Sequence, residues 1–160
     1  SFNMGGPGVI DGNEHPETDN FLPCQFVIDK VRYSSAENYF QCAKTTNERD
    51  RLKILTSGSG ESCELAGKTV QLRSGWKSVK VDEMYKGNLA KFQQNEDLRK
   101  ALLESGTGPI LFTESSPFWN YWNDLILQRI RAELRQNGEE DSRRAVEIRE
   151  AMNKYAQENK

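Results

Sequence analysis

Glu37, Gln41 and Lys44 lie four and seven residues apart within Ser35-Ala36-Glu37-Asn38-Tyr39-Phe40-Gln41-Cys42-Ala43-Lys44. In a helix, side chains at i, i+4 and i+7 point the same way. The stripe would line up a carboxylate, an amide and an amine. A carboxylate can hand over or take a proton, and an amine can balance negative charge or, when neutral, attack an electrophilic carbon. Ser34 or Ser35 makes a good N-cap, and Glu37 then sits in the first turn, where the helix dipole favours its charge. Ala36, Tyr39, Phe40 and Ala43 cover a neighbouring face that wants burial. On spacing alone, a Glu/Lys stripe of this kind is more often a solvated face than a site.

Three further features carry chemistry of the same sort. Leu72-Arg73-Ser74-Gly75-Trp76 puts a cation and a large aromatic beside a turn. Trp76 is either core or a stacking surface, and stacking on a base contributes about 1–3 kcal/mol. Trp119 and Asn123 are four apart at the start of a long helical pattern, a ring face with an amide that reads either as core or as ligand contact. Asn20 and Phe21 precede the first strand-like run, where a loop either scaffolds or closes over a pocket.

The chain of 160 residues suits one domain burying roughly two-thirds of its unfolded surface. Its net charge of −2 gives no general basic field for duplex nucleic acid, while a small anion held by local cations is compatible with it. Cys24, Cys42 and Cys63 form no C-x-x-C pair, and His15 is the single histidine. Zinc, a disulfide framework and a histidine-based triad are therefore not expected, and the cysteine usage favours a reducing compartment. No apolar run nears the roughly 20 residues of a membrane span, so no membrane partner is expected and the location reads as cytoplasmic, with the nucleus open as well.

The elements that must position these groups follow from periodicity and breakers. Residues 1–19 read as a mobile, polar, glycine-rich arm, and 138–160 as a charged helical extension laid on the surface or partly disordered. Cys24 to Ile28 and Val31 to Tyr33 read as a hairpin about Asp29-Lys30. Helices are predicted over Glu48–Leu55, Glu61–Ala66, Trp76–Gln94, Glu96–Glu104 and from Pro117 to Asn137-Gly138, with a buried extended segment at Ile110–Thr113. The fold class is α+β, predominantly helical, a single domain over 20–137 with a few short strands.

Taken in order, these elements resemble the NADAR (YbiA-like) family. The likeness runs from Asn20-Phe21 through the Glu37-x-Tyr39-Phe40-Gln41-x-x-Lys44 core, Ala66-Gly67-Lys68, Leu72-Arg73-Ser74-Gly75-Trp76 and Lys91-Phe92-Gln93-Gln94-Asn95 to Trp119 and Asn123. The resemblance implies an enzyme, an N-glycosidase that hydrolyses the bond between ribose C1 and an amine. The first choice of reaction is removal of ADP-ribose from guanine bases or nucleotides, in the manner of an ADP-ribosyl glycohydrolase. A non-catalytic ADP-ribose reader and a hydrolase of ribosylated riboflavin-pathway intermediates are the alternatives. It implies a small-molecule ADP-ribose or ribosylamine substrate, with ADP-ribosylated nucleic acid as a further partner, and neither cofactor nor metal. Glu37 matches the catalytic acidic position, Lys44 the amine and Trp76 the pocket aromatic. Asn20, Phe21, Tyr39, Gln41, Arg73, Trp119 and Asn123 join Trp76 as expected ligand-binding residues. The chain departs from the family pattern at Ser115-Ser116, where an acidic residue is usual, and in the short Asn120-Tyr121-Trp122 segment, where a glycine-rich loop is usual.

Overall fold

The structure is a computed structural model and describes residues 5–160. Two antiparallel hairpins and seven α-helices make up the described fold: β1 (Gly8–Ile10), β2 (Asn13–His15), β3 (Phe26–Ile28), β4 (Val31–Tyr33), α1 (Ala36–Ala43), α2 (Glu48–Leu55), α3 (Glu61–Gly67), α4 (Trp76–Gln94), α5 (Glu96–Leu103), α6 (Pro117–Arg135) and α7 (Gly138–Glu158). The class is α+β, predominantly helical. Among the described residues no helix is long and apolar enough to cross a membrane.

Asp29 (φ 51°) and Lys30 (φ 68°) turn β3 into β4 with two left-handed residues, the type I′ geometry whose twist matches a hairpin. Ser35 caps α1: its Oγ accepts from the Asn38 N–H at 2.9 Å and donates to the Ser59 carbonyl at 2.6 Å. One hydroxyl thus starts the helix and fastens it to the loop before α3. Gln94 at the end of α4 docks on the edge of β3, accepting from the Val27 N–H at 2.8 Å and donating to its carbonyl at 2.9 Å.

The core has two lobes on opposite sides of α1. Phe40, Trp76, Met84, Phe92, Leu102, Ile110, Trp119, Ile126 and Ile130 fill one, with Ile148 and Met152. Phe26, Tyr33, Tyr39, Cys42, Ile54 and Cys63 fill the other. Burial raises the Cys42 and Cys63 thiols to about 12, so neither is a ready thiolate nucleophile.

Both ends of the chain pack more closely into the fold than expected, although the C-terminal segment is helical as the sequence suggests. Residues 1–4 of the expected arm lie outside the described residues, but 5–19 are built into the fold. Asp11 (φ 51°) and Gly12 (φ 81°) form the β1–β2 turn, and Val9 exchanges backbone hydrogen bonds with Leu111 at 2.8 and 2.9 Å. The physical reason is local: Val9-Ile10 supplies apolar strand residues, Ile10 is buried, and Asp11-Gly12 is a strong hairpin turn. The pairing also explains why Ile110–Thr113 is a bridge rather than a strand, since only Leu111 finds a partner. The tail after Asn137 is α7, with Ile148 and Met152 fully inside the core. Met152→Ala should therefore cost about 2–5 kcal/mol in denaturant unfolding. A surface extension would give almost no loss.

Candidate active site

α1 places Glu37 and Gln41 one turn apart, and neither side chain reaches solvent. The stripe is therefore not a solvated face. Glu37 Oε1 accepts from Asn20 Nδ2 at 2.7 Å, and Oε2 accepts from Gln41 Nε2 at 2.6 Å. The Glu37 N–H donates to the Asn20 carbonyl at 3.0 Å, so Asn20 grips both the backbone and the side chain of the acid. Burial disfavours the charged carboxylate more than the two amide donors favour it, and Glu64 adds like charge. The balance lifts the Glu37 carboxyl from 4.5 to about 6.

Lys44 follows α1 as its C-cap and is partly open to solvent. Its Nζ lies 5.9 Å from the Phe40 ring centroid and belongs to no salt bridge among the described residues. Burial pulls its pKa below the usual lysine range. Glu37 and Glu64 oppose that shift, while Lys68 and Lys80 reinforce it. The backbone secures the next element, because the Arg73 N–H donates to the Lys44 carbonyl at 2.7 Å.

That contact brings Trp76 to α1. Phe40 sits between Trp76 (centroids 5.3 Å apart) and Trp119 (5.1 Å, edge-on), and Trp119 meets Phe118 at 4.8 Å. Phe40, Trp76 and Trp119 thus form a buried aromatic row in which Phe40 is the ring that meets Lys44. Lys80 Nζ stands 4.3 Å from the Phe118 centroid at the far end of this row. Asn123, one turn beyond Trp119, is buried. Phe21 is half-buried, and its ring fills the space against Gly5 and Gly60.

Two expected contacts are not brought to the stripe. Tyr39 lies on the opposite side of α1, packed edge-on against Tyr33 at 4.9 Å, and its hydroxyl donates to Glu83 at 2.9 Å. Arg73 also pairs with Glu83, at 2.9 Å, and donates to the Ala43 carbonyl at 3.3 Å. Its guanidinium lies 6.0 Å from the Trp76 centroid. Tyr39, Arg73 and Glu83 line a separate cleft of about 390 Å³. The reason is helical phase, because Tyr39 follows Glu37 by two residues and so faces away from it.

Ser116 and Asn120 have local tasks. Ser116 caps α6, its Oγ accepting from the Trp119 N–H at 3.3 Å. The Asn120 side chain bonds the Ser115 N–H and carbonyl, each at 3.1 Å.

Residues that spacing did not single out complete the surroundings. Glu64 on α3 is buried near enough to act on both Glu37 and Lys44. Gly67 at the end of α3 packs against Gln41, whose Oε1 would overlap any Cβ placed there. Gly67→Ala should push Gln41 off Glu37 and cost about 1–3 kcal/mol, read as a lower melting midpoint. A parental midpoint would show that Gln41 has room to move. Among the described residues no group of three His, Cys, Asp or Glu side chains gathers to hold a metal.

This order of elements is shared with known proteins. N-glycosidase YbiA of Escherichia coli K12 is 31% identical over 114 residues, covering 70% of each chain. An N-glycosidase of Nostoc punctiforme is 32% identical over 108 residues, 64% of this chain and 68% of that relative. The NMR structure of E. coli YbiA matches with a TM-score of 0.61 at 28% identity over 76% of each chain. Residues 9–142, from the first hairpin to the start of α7, match the NADAR domain, and the chain belongs to the NADAR family.

Proposed function

We propose that this protein is an N-glycosidase that cleaves the bond between ribose C1 and an amine, and that its substrate is ADP-ribose attached to a guanine base or nucleotide. The observation that carries the reading is the Glu37–Lys44 pair. A fully buried acid, its carboxyl raised to about 6, shares a helix stripe with a partly buried amine whose neighbour Phe40 belongs to the aromatic row with Trp76 and Trp119. Similarity to proteins named N-glycosidases supports the bond type. The finer choice of ADP-ribose rests on the aromatic row, which suits a planar base, and on the cations Lys68 and Lys80 near Lys44, which suit phosphate.

The geometry favours attack by Lys44 over attack by free water. Glu37 has no exposed surface and both its oxygens are engaged, whereas Lys44 is partly exposed and burial favours its neutral, nucleophilic form. In the proposed course a proton from the Glu37–Lys44 pair opens the ribose ring at its ether oxygen, leaving C1 as an iminium to the departing amine. Lys44 Nζ adds to C1, the C1–N bond to the base breaks, and the base leaves as a neutral amine carrying a proton. Water then adds to C1, the C1–Nζ bond breaks, and Lys44 is released with the ribose closed again. One water is consumed and no electrons are exchanged. Protons reach and leave the substrate through Lys44, the exposed member of the pair, while Glu37 sets the pair's proton affinity and is not consumed.

Incubation with ADP-ribosylated guanosine tests the reading. Free ADP-ribose and guanosine should accumulate over many turnovers. Tight binding with no release would leave a reader instead of an enzyme. Turnover of a ribosylated aminopyrimidine phosphate alone would move the substrate to riboflavin intermediates.

A further inference from the structure

Two buried side chains of α4, Asn88 and Lys91, have no part in this chemistry, yet both end on the segment that holds Glu37. Asn88 Nδ2 donates to Asn20 Oδ1 at 3.1 Å, and to the Met84 carbonyl at 3.0 Å. Lys91 Nζ donates to the Asp19 carbonyl at 3.0 Å. Lys91 is fully buried, lies 5.0 Å from the Phe92 centroid and pairs with no carboxylate among the described residues within salt-bridge distance. A buried ammonium with a carbonyl but no carboxylate partner is costly, and an apolar chain of similar length would fill the same space at less cost. Stability alone therefore does not account for it. Its effect is on the Asp19–Leu22 turn. Asp19 Oδ1 accepts from the Gly6 and Phe21 N–H groups, each at 2.9 Å, and the Asp19 carbonyl accepts from Leu22 as well as from Lys91. Asn20, at the centre of that turn, has one orientation that satisfies both neighbours: Oδ1 to Asn88 and Nδ2 to Glu37.

We infer that Asn88 and Lys91 are positioning residues for Glu37. Lys91 fixes the peptide that carries Asn20, and Asn88 fixes which end of the Asn20 amide faces the acid. The inference deepens the proposed function, since it says what holds in place the acid that sets the pair's proton affinity. The groups facing Glu37 are Asn20 from the loop, Gln41 and Lys44 from α1, and Glu64 and Cys63 from α3. Those facing Lys91 are Asp19, Glu17 and Cys24. An amide donor on Oε1 lowers the affinity of Glu37 for a proton, and an amide oxygen turned toward it raises that affinity.

The readout is the titration of Glu37 itself, followed by the carbon-13 shift of its carboxyl in the glutamate-labelled 160-residue protein and assigned by its loss in E37Q. Asn88→Asp should turn the Asn20 amide round, so that its Nδ2 faces the new carboxylate and its Oδ1 faces Glu37. The Glu37 midpoint should rise by about one pH unit. Lys91→Met, which frees the turn without adding charge, should raise it in the same direction by less. Asn88→Ala breaks the relay with no new charge and should also raise it. Asn95→Ala, which removes hydrogen bonds from the same helix to the Gln25 and Lys91 carbonyls, is the control and should lower the melting midpoint without moving Glu37. A Glu37 midpoint unmoved in the folded Asn88 and Lys91 variants overturns the inference, as does an equal shift in Asn95→Ala. The titration needs no substrate. Failure to release ribose would sink the proposed function and leave the relay standing. An unmoved Glu37 in a working enzyme would do the reverse.

Discussion

Glu37→Gln should remove nearly all turnover, about 10²–10⁴-fold, and yet give a protein more stable than the parent above pH 7. The two effects share one cause. The folded protein holds the Glu37 proton up to about pH 6, whereas an unfolded chain loses it near 4.5. Folding is thus favoured below pH 4.5 by this group, and the contribution disappears as pH rises through 6. At about 1.4 kcal/mol per pH unit, the ionised acid costs about 2 kcal/mol of stability at neutral pH. Glutamine never ionises and avoids that cost. Gln41 can turn its amide to present Oε1, which is buried and unpartnered in the parent, to the new Nε2. Urea unfolding at pH 4 and pH 8 should show a gain for Glu37→Gln only at pH 8. An equal gain at both values, or none, would mean that Glu37 is not held near 6 by its burial. The pH dependence of the parent's kcat/KM should agree. It should be bell-shaped, rising through about pH 6 as the Glu37–Lys44 pair loses its first proton. It should fall again below 10.5, as the second leaves.

The same pair marks how far the sequence could be read. Glu37, Gln41 and Lys44 were visible as a stripe because helical phase is local, and the Ser35 cap and the Asp29-Lys30 turn were visible for the same reason. Whether the stripe faced water or core depended on what packs over it, and no local pattern carries that. The cover comes from Asn20 in the loop before β3, Glu64 and Gly67 on α3, and Asn88 on α4. Asn88 did leave a trace, since it shares a face of α4 with Met84 and Lys91, but a buried amide there looks like any polar interruption until its partner is known. Tyr39 shows the opposite hazard. It belongs to the same short motif as Glu37, and the family resemblance carried it into the expected ligand-binding set, although two residues along a helix turn a side chain to the far side. The β1–β2 hairpin was legible in principle from Val9-Ile10-Asp11-Gly12, but the surrounding glycine and acidic residues outweighed it. The role of α7 was not legible, because Ile148 and Met152 are a thin stripe whose burial depends on finding α4 and α6.

Lys44→Ala and Lys44→Arg together separate the two ways of reaching C1. Alanine removes both charge and nucleophile and should bring release of ribose down to background. Arginine keeps the charge but cannot become a neutral amine at working pH, because its guanidinium stays protonated. If Lys44 attacks C1, arginine is as inactive as alanine. Borohydride added during turnover should then fix the ribosyl group to Lys44 of the parent, a mass increase found on the peptide containing residue 44 and absent from both variants. If Lys44 only balances charge while water attacks, arginine should retain a substantial fraction of activity and borohydride should trap nothing. The surroundings favour the first outcome. Burial and the neighbouring Lys68 and Lys80 push Lys44 toward the neutral amine, against the pull of Glu37 and Glu64. Burial is the largest influence on Lys44, so the amine gives up its proton more readily than an exposed lysine, as an attacking amine must.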